Sequence, residues 1–242
     1  MKENNLLPDL AAYLYASSSP ESRRTPSERE LAEHFSVSRG QIREALAILE
    51  AMRIVERRAK SGIFLTTKQA SVEAMALFAK AGLPLDPIQI YESVELRKIH
   101  EIKAAELACT RATEENFVRL REILKTSEER LSAGEGLARE DRDFHLEIVR
   151  ATKNSVFYKV CSVYYVMGEQ RLPIYFNEPE RGRKSHAEHI QIYEALVRRD
   201  GNLAQALMSA HLQGAESYWK GIIDGSALSA ARIEDDLTVA AK

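Results

Sequence analysis

Two helix starts of the same kind, separated by almost nothing, constrain this chain more than any other feature. Ser27-Glu28-Arg29-Glu30 is a capping box, with Ser27 as cap and Glu30 bonding back to the cap backbone. Ser38-Arg39-Gly40-Gln41 is a second, with Gln41 as the partner of Ser38. The first helix is therefore short, residues 28–35, and the second runs over residues 39–52. Only Ser36 and Val37 separate the first helix from the second cap, so the pair is predicted to be a helix-turn-helix. An amphipathic helix carrying Leu6, Leu7, Leu10, Tyr13 and Leu14 precedes it, broken by the Ser/Pro-rich stretch 17–26.

In the second helix Ile42, Ala45, Leu46, Leu49 and Met52 share the inward face. Arg39, Arg43, Ala47 and Glu50 line the opposite one. Two arginines near the N-terminal end of such a helix suit the major groove, because a guanidinium fork bonds guanine bidentately or clamps a phosphate. Residues 54–58 and 63–66 read as short strands around the basic turn Ala59-Lys60-Ser61-Gly62, a hairpin wing in which Gly62 allows positive φ or close approach to DNA. Charge agrees. Residues 1–70 carry 11 Lys and Arg against 9 Asp and Glu, on a chain of net charge −2. One end is thus mildly basic on an otherwise acidic molecule, which suits a DNA-contacting head and excludes a uniformly basic coat protein.

From Ser71 onward helical periodicity replaces strand patterns. Helices are predicted over 71–81, 87–110, 114–132, 136–152, 155–176, 179–199 and 202–223, an antiparallel bundle of six or seven. The fold class is mainly α. The expected domains are a winged helix-turn-helix over 1–70, an all-helical domain over 71–225, and a poorly ordered tail over 226–242. No apolar run is long enough to span a bilayer, so no membrane partner is expected. Cys109 and Cys161 lie in helical apolar contexts and read as reduced core residues of a cytoplasmic protein.

Histidines and one aspartate carry the chemistry of this second part. Asp141 and His145, four apart, project side by side from one helix. His189 lies on a stripe with Ile192, Tyr193 and Leu196, and His211 on one with Ala204, Leu207 and Met208. His189 and His211 lie at nearly equal distances either side of the turn at Asp200-Gly201, so an antiparallel pair brings them to one height. His186 falls a turn out of register, and His34 and His100 have no partners. A hydrogen-bonded core residue is the ordinary reading of any one such histidine. All four groups together favour a divalent transition metal, zinc first, with nickel or manganese as alternatives.

The first part resembles the GntR family of regulators. The residues that carry the resemblance are Thr25-Pro-Ser-Glu-Arg-Glu-Leu-Ala32, Val37-Ser-Arg39, Arg43-Glu-Ala-Leu46 and the Gly62 wing, within residues 4–68. Ser36 stands where the family often has Gly, and Gly40 and Gln41 where Thr, Pro or Val is common. The resemblance implies that Arg29, Arg39 and Arg43 contact phosphates and bases, with Ser38 and Gln41 at the same helix end, and that the wing tip at Lys60 and Gly62 enters the minor groove of double-stranded operator DNA. Asp141-x-x-Phe-His145, Glu188-His189 and Ala206-Leu-Met-Ser-Ala-His211 are similar to the FCD ligand-binding domain of the FadR subfamily, over residues 90–215. This implies a metal held by Asp141, His145, His189 and His211, a small carboxylate effector reaching that metal, and a homodimer. Arg97 and Asn154 match family positions and are candidate effector contacts, although Lys153 replaces a family Gly. An interhelical salt bridge is the competing reading for Arg97, and a helix cap for Asn154. Arg150, Arg171, Tyr164, Tyr165 and Tyr175 are further cavity candidates that spacing does not rank.

The expected function is an effector-controlled repressor or activator, not an enzyme. A metal-dependent hydrolase bearing a DNA-binding module is the rival, weakened by the lack of a separate general base or nucleophile motif. A purely structural metal is the third reading.

Overall fold

The computed structural model describes residues 6–18, 23–59, 61–66, 71–83, 87–169 and 171–239. Lys60 of the basic turn lies outside the described residues. The chain divides into two compact units, residues 1–85 with 165–170, and residues 86–164 with 171–242.

The first unit is built as its caps dictate. After α1 (Leu6–Ser17) come α2 (Glu28–Phe35) and α3 (Arg39–Ala51), each opened by a complete capping box. Ser27 Oγ accepts from Glu30 N while Glu30 accepts from Ser27 N at 2.8 Å, and Ser38 and Gln41 repeat the exchange. The turn between the helices closes because Ser36 takes a left-handed conformation, φ 53° and ψ 41°. Strands β1 (Val55–Arg58) and β2 (Gly62–Leu65) pair antiparallel, with Val55 opposite Leu65 and Arg58 opposite Gly62. Arg24 bridges Phe64, so the segment before α2 lies along the wing's second strand. Leu10, Leu14, Leu31, Ile42, Leu46, Leu49 and Ile54 form the core, all fully buried.

Helix α4 (Val72–Lys80) differs from the expected division at residue 70. Its Ala74 and Leu77 complete this N-terminal core rather than that of the bundle. Its local period states that it has an apolar face, not which core receives it.

The second unit comprises α5 (Pro87–Arg111), α6 (Glu114–Ser132), α7 (Ala138–Ala151), α8 (Ser155–Met167) up to Tyr164, α9 (Arg171–Tyr175), α10 (Pro179–Val197) and α11 (Gly201–Val239). The predicted helix over 155–176 is thus two. Helix α11 continues past its expected end at 223; beyond Gly225 the sequence has no further Gly or Pro and is rich in Ala and Leu, good helix formers. Ala104, Ala105 and Ala108 of α5 are fully buried, and small side chains there let α11 approach closely. Phe144, Ile148, Ile192, Leu196, Met208 and Leu212 fill the space around them, bringing α7, α10 and α11 to one centre. Cys109 and Cys161 are buried free thiols, as expected, and burial pushes Cys161 up to about 12.

Candidate metal centre and nucleic-acid interface

Helices α7, α10 and α11 bring Asp141, His145, His189 and His211 together, with one donor atom from each lying within 4.8 Å of the others. The three imidazole Nε2 atoms form a nearly equilateral triangle: 3.1 Å from His145 to His211, and 3.2 Å from His189 to each. Asp141 Oδ1 lies 3.5 Å from His189 Nε2 and 3.7 Å from His145 Nε2. Asp141, His145 and His189 are buried, and His211 is nearly so. Phe144 stacks on His189, with centroids 4.1 Å apart.

A surrounding set of carboxylates fixes which ring nitrogens face inward. His211 Nδ1 lies 2.7 Å from Glu188 Oε2, and His145 Nδ1 lies 2.7 Å from Glu101 Oε2 on α5. In the neutral tautomer with its proton on Nδ1 a ring carries its lone pair on Nε2, so His145 and His211 in that form turn lone pairs toward each other. Ser185 Oγ donates to Asp141 Oδ1 at 3.3 Å. Arg97 Nε donates to Glu101 Oε1 at 3.0 Å, and its Nη2 reaches Asp141 Oδ2 at 3.7 Å. Burial raises the pKa of Asp141, but His145, Arg97 and His189 outweigh it and hold the carboxyl well below the usual range. Burial, reinforced by His211 and His145, holds His189 well below the usual imidazole value. For His145 burial works the same way and is the largest single effect, yet the Glu101 and Asp141 carboxylates together outweigh it and the net direction is upward.

These residues fit a metal ion. The Nε2 atoms of His145 and His211, 3.1 Å apart, cannot hydrogen-bond to each other when both rings carry their proton on Nδ1. Nitrogens sharing an ion at about 2.0–2.1 Å lie roughly 3–3.4 Å apart. The carboxylate–histidine pairs are the usual orienting partners of metal-ligating imidazoles.

The other histidines fall elsewhere, as their positions in the sequence indicate. His34 stacks on Tyr13 at 3.9 Å, and His100 Nδ1 lies 2.7 Å from Leu96 O. Sequence reasoning missed Glu101 and Ser185. The signal was there in the four-residue spacings Arg97–Glu101 and Ser185–His189, each placing two polar groups on one helix face. Arg97 does join the centre. Asn154 instead caps α8, its Oδ1 accepting from Val156 N and Phe157 N at 3.1 and 3.0 Å, and no contact among the described residues joins it to the four ligand candidates. Arg150 lies in an outer cleft between α6 and α7, bonded to Glu147 and Tyr158.

In the first unit Arg29, Arg39 and Arg43 are exposed. Arg43 Nε donates to Glu28 Oε2 at 2.8 Å, and Arg29 lies 3.9 Å from Glu33. Ser38 and Gln41 are engaged with each other in the cap of α3. Gly62 has φ +112°, and a Cβ there would stand 3.3 Å from Arg24 Nε, so backbone and space both favour glycine. Arg24, Arg57 and Arg58 line the cleft between wing and α2, a basic surface to which sequence reasoning contributed Arg57 and Arg58 but not Arg24.

A winged helix-turn-helix head and, in the same chain, an all-helical unit with a buried Asp/His centre define a two-part regulator. Its head matches the family model of bacterial regulatory proteins of the gntR family over residues 21–65, and its helical unit matches the FCD domain over residues 92–214. The chain is 30% identical to the transcriptional regulator LutR of Bacillus subtilis, covering 82% of this chain and 92% of that one. It is also 30% identical to the Uxu operon transcriptional regulator of Escherichia coli, covering 78% and 76%. In fold it is similar to Lar, which controls expression of the Listeria monocytogenes agr system, with a TM-score of 0.63 at 19% identity over 91% of this chain and 98% of that one. The chain belongs to the GntR family, with FadR-like relatives, and is a DNA-binding transcriptional regulator with an FCD effector-binding domain. Among the described residues no helix is long and apolar enough to cross a membrane.

Proposed function

We propose that this regulator senses a small organic acid at a metal ion held by Asp141, His145, His189 and His211, and answers by changing its grip on operator DNA. The carrying observation is the triangle of Nε2 atoms no more than 3.2 Å apart, backed by Glu101 and Glu188. Zinc is the first choice for three imidazoles and a carboxylate, with nickel and manganese served by the same donors. Four protein donors leave positions on a five- or six-coordinate ion for an effector carboxylate. Arg97, already at the Asp141 carboxylate, supplies positive charge beside it.

On DNA, Arg39 and Arg43 read base edges or clamp phosphates from the outward face of α3, and Arg29 adds a phosphate contact. Ser38 and Gln41 fix the helix end that enters the groove, and the Lys60–Gly62 wing tip meets the minor groove. The working unit is a homodimer on a pseudo-palindrome, so an effector that favours one arrangement of the sensor domains changes the spacing of the two heads.

The test has two readouts on the full chain. Elemental analysis should find about one transition metal per chain, lost in His189→Ala. A thermal-shift screen of the metal-loaded chain against small carboxylates should find one that raises the melting midpoint, by mass action, and alters DNA affinity. A wild-type chain without metal, or a His189→Ala chain that keeps it, overturns the assignment.

A further inference from the structure

Arg171, at the start of α9, is a half-buried guanidinium near Arg97 whose charge no carboxylate among the described residues balances. Its contacts are Ser93 Oγ at 3.5 Å and the face of Trp219 at 5.8 Å, and its Nε is buried with no hydrogen-bond partner. No ion pair reaches it among the described residues. Burial holds its pKa below the usual arginine value; Tyr164 offsets this and the like-charged Arg97 adds to it. A guanidinium keeps its proton even so. Arg97 has Glu101 and Asp141, whereas Arg171 faces the same interior without a carboxylate. An unpaired charge turned inward is destabilising unless something else completes it.

The neighbours describe what that something is. Ser93 and Arg97 stand four residues apart on α5, about 6 Å along the axis, so Arg171 lies one step along α5 from the metal centre's arginine. Tyr164 is near both guanidinium groups, its ring 5.9 Å from Arg97 Cζ and its hydroxyl within electrostatic reach of both arginines. Each guanidinium thus has an aromatic ring beside it, Tyr164 at Arg97 and Trp219 at Arg171. We propose that Arg171 is a second anion subsite, and that the effector is therefore a compact dicarboxylate of about four to six carbons, one carboxylate at the metal and the other on the Arg171 fork. This rests on the metal-and-carboxylate reading above and adds a requirement for a second charge.

Isothermal titration of the metal-loaded full chain with succinate, glutarate and adipate, each against its own monoamide, tests the requirement, because each pair differs by one charge at nearly constant shape. The expected result is that at least one diacid binds about tenfold or more tightly than its monoamide. Arg171→Gln should bring that ratio close to one while leaving monoamide affinity and metal content unchanged. Should Arg171→Gln fail to fold by circular dichroism, Arg171→Lys, which keeps the charge but loses the planar fork, should reduce the same ratio. A wild-type chain without preference for any diacid, or a preference that survives in the folded variant, overturns the proposal. Failure of the metal reading is separate: a chain with no metal by elemental analysis that still shows an Arg171-dependent diacid preference loses the metal and keeps the subsite.

Discussion

Glu101 on α5 stands 2.7 Å from Nδ1 of His145 on α7, so a residue outside the cluster of four sets which nitrogen of a cluster imidazole turns inward. The same carboxyl accepts from Arg97. Replacing it by its amide keeps the shape and removes the charge that orients the ring. Glu101→Gln is expected to weaken metal binding about 10–100-fold. Chelator competition measures this, with circular dichroism as control for the fold. Wild-type affinity in the variant would mean that the ring is oriented by other means.

Arg43→Ala is expected to remove sequence-specific binding, at a cost of about 1–3 kcal/mol, and to leave the melting midpoint almost unchanged. The side chain is 65% exposed and its pairing with Glu28 is a surface contact. Fluorescence anisotropy on DNA selected from a random pool by the wild-type chain gives the comparison. Full affinity and selectivity in the variant would take Arg43 off the reading surface.

Ser36 holds the turn of the helix-turn-helix in the left-handed region, φ 53°. An L-residue there is strained by about 1–2 kcal/mol, and the extra freedom of glycine in the unfolded chain returns part of that. Ser36→Gly is expected to stabilise the protein by about 0.5–1 kcal/mol in urea denaturation. Destabilisation would show that the turn is not strained.

Acid should weaken the metal-free protein. Burial lowers the pKa of both His189 and His211, so near pH 6.5 the unfolded chain takes up protons before the folded one does. Their contribution is present above that value and lost as the pH falls below it. His145 runs the other way, its raised pKa giving stability at low pH that is lost as the pH rises through its folded value. With two imidazoles against one, the melting midpoint measured in chelator should fall between about pH 7.5 and 5.5. A midpoint that holds or rises on acidification contradicts this.

The features legible in the sequence are those decided within a few residues. Both capping boxes, the two-residue connection and the wing are local chemistry, and the helices they start begin at the residues expected. Asp141 and His145 were legible because four-residue spacing fixes their relation without knowledge of the rest. Helix α4 was not assigned correctly because an apolar stripe does not name its partner. The break between α8 and α9 was hidden by apolar periodicity continuing across Gly168. The four-residue spacings of Glu101 and Ser185 gave their helix faces but not their partners at the centre, His145 and Asp141, which are distant in sequence, and Arg24 meets the wing at Phe64, likewise distant. Asn154 was a case of two readings for one residue, and the backbone bonds at the start of α8 account for it as a cap.

The arginines of the DNA-reading head do not come bare. Arg43 is held by Glu28, Arg57 by Glu50 and Glu28, Arg58 by Glu56, and Arg29 stands near Glu33; of this group with Arg39, only Arg39 has no ion pair among the described residues. Each internal carboxylate already does part of the work that a dissolved anion or a phosphate would do. Fewer small ions are then set free per arginine when the head meets a duplex, and the logarithm of affinity should fall with the logarithm of salt less steeply than about 0.9 per arginine engaged. The head would thus hold its target across a wide range of ionic strength, leaving the choice between binding and release to the sensor.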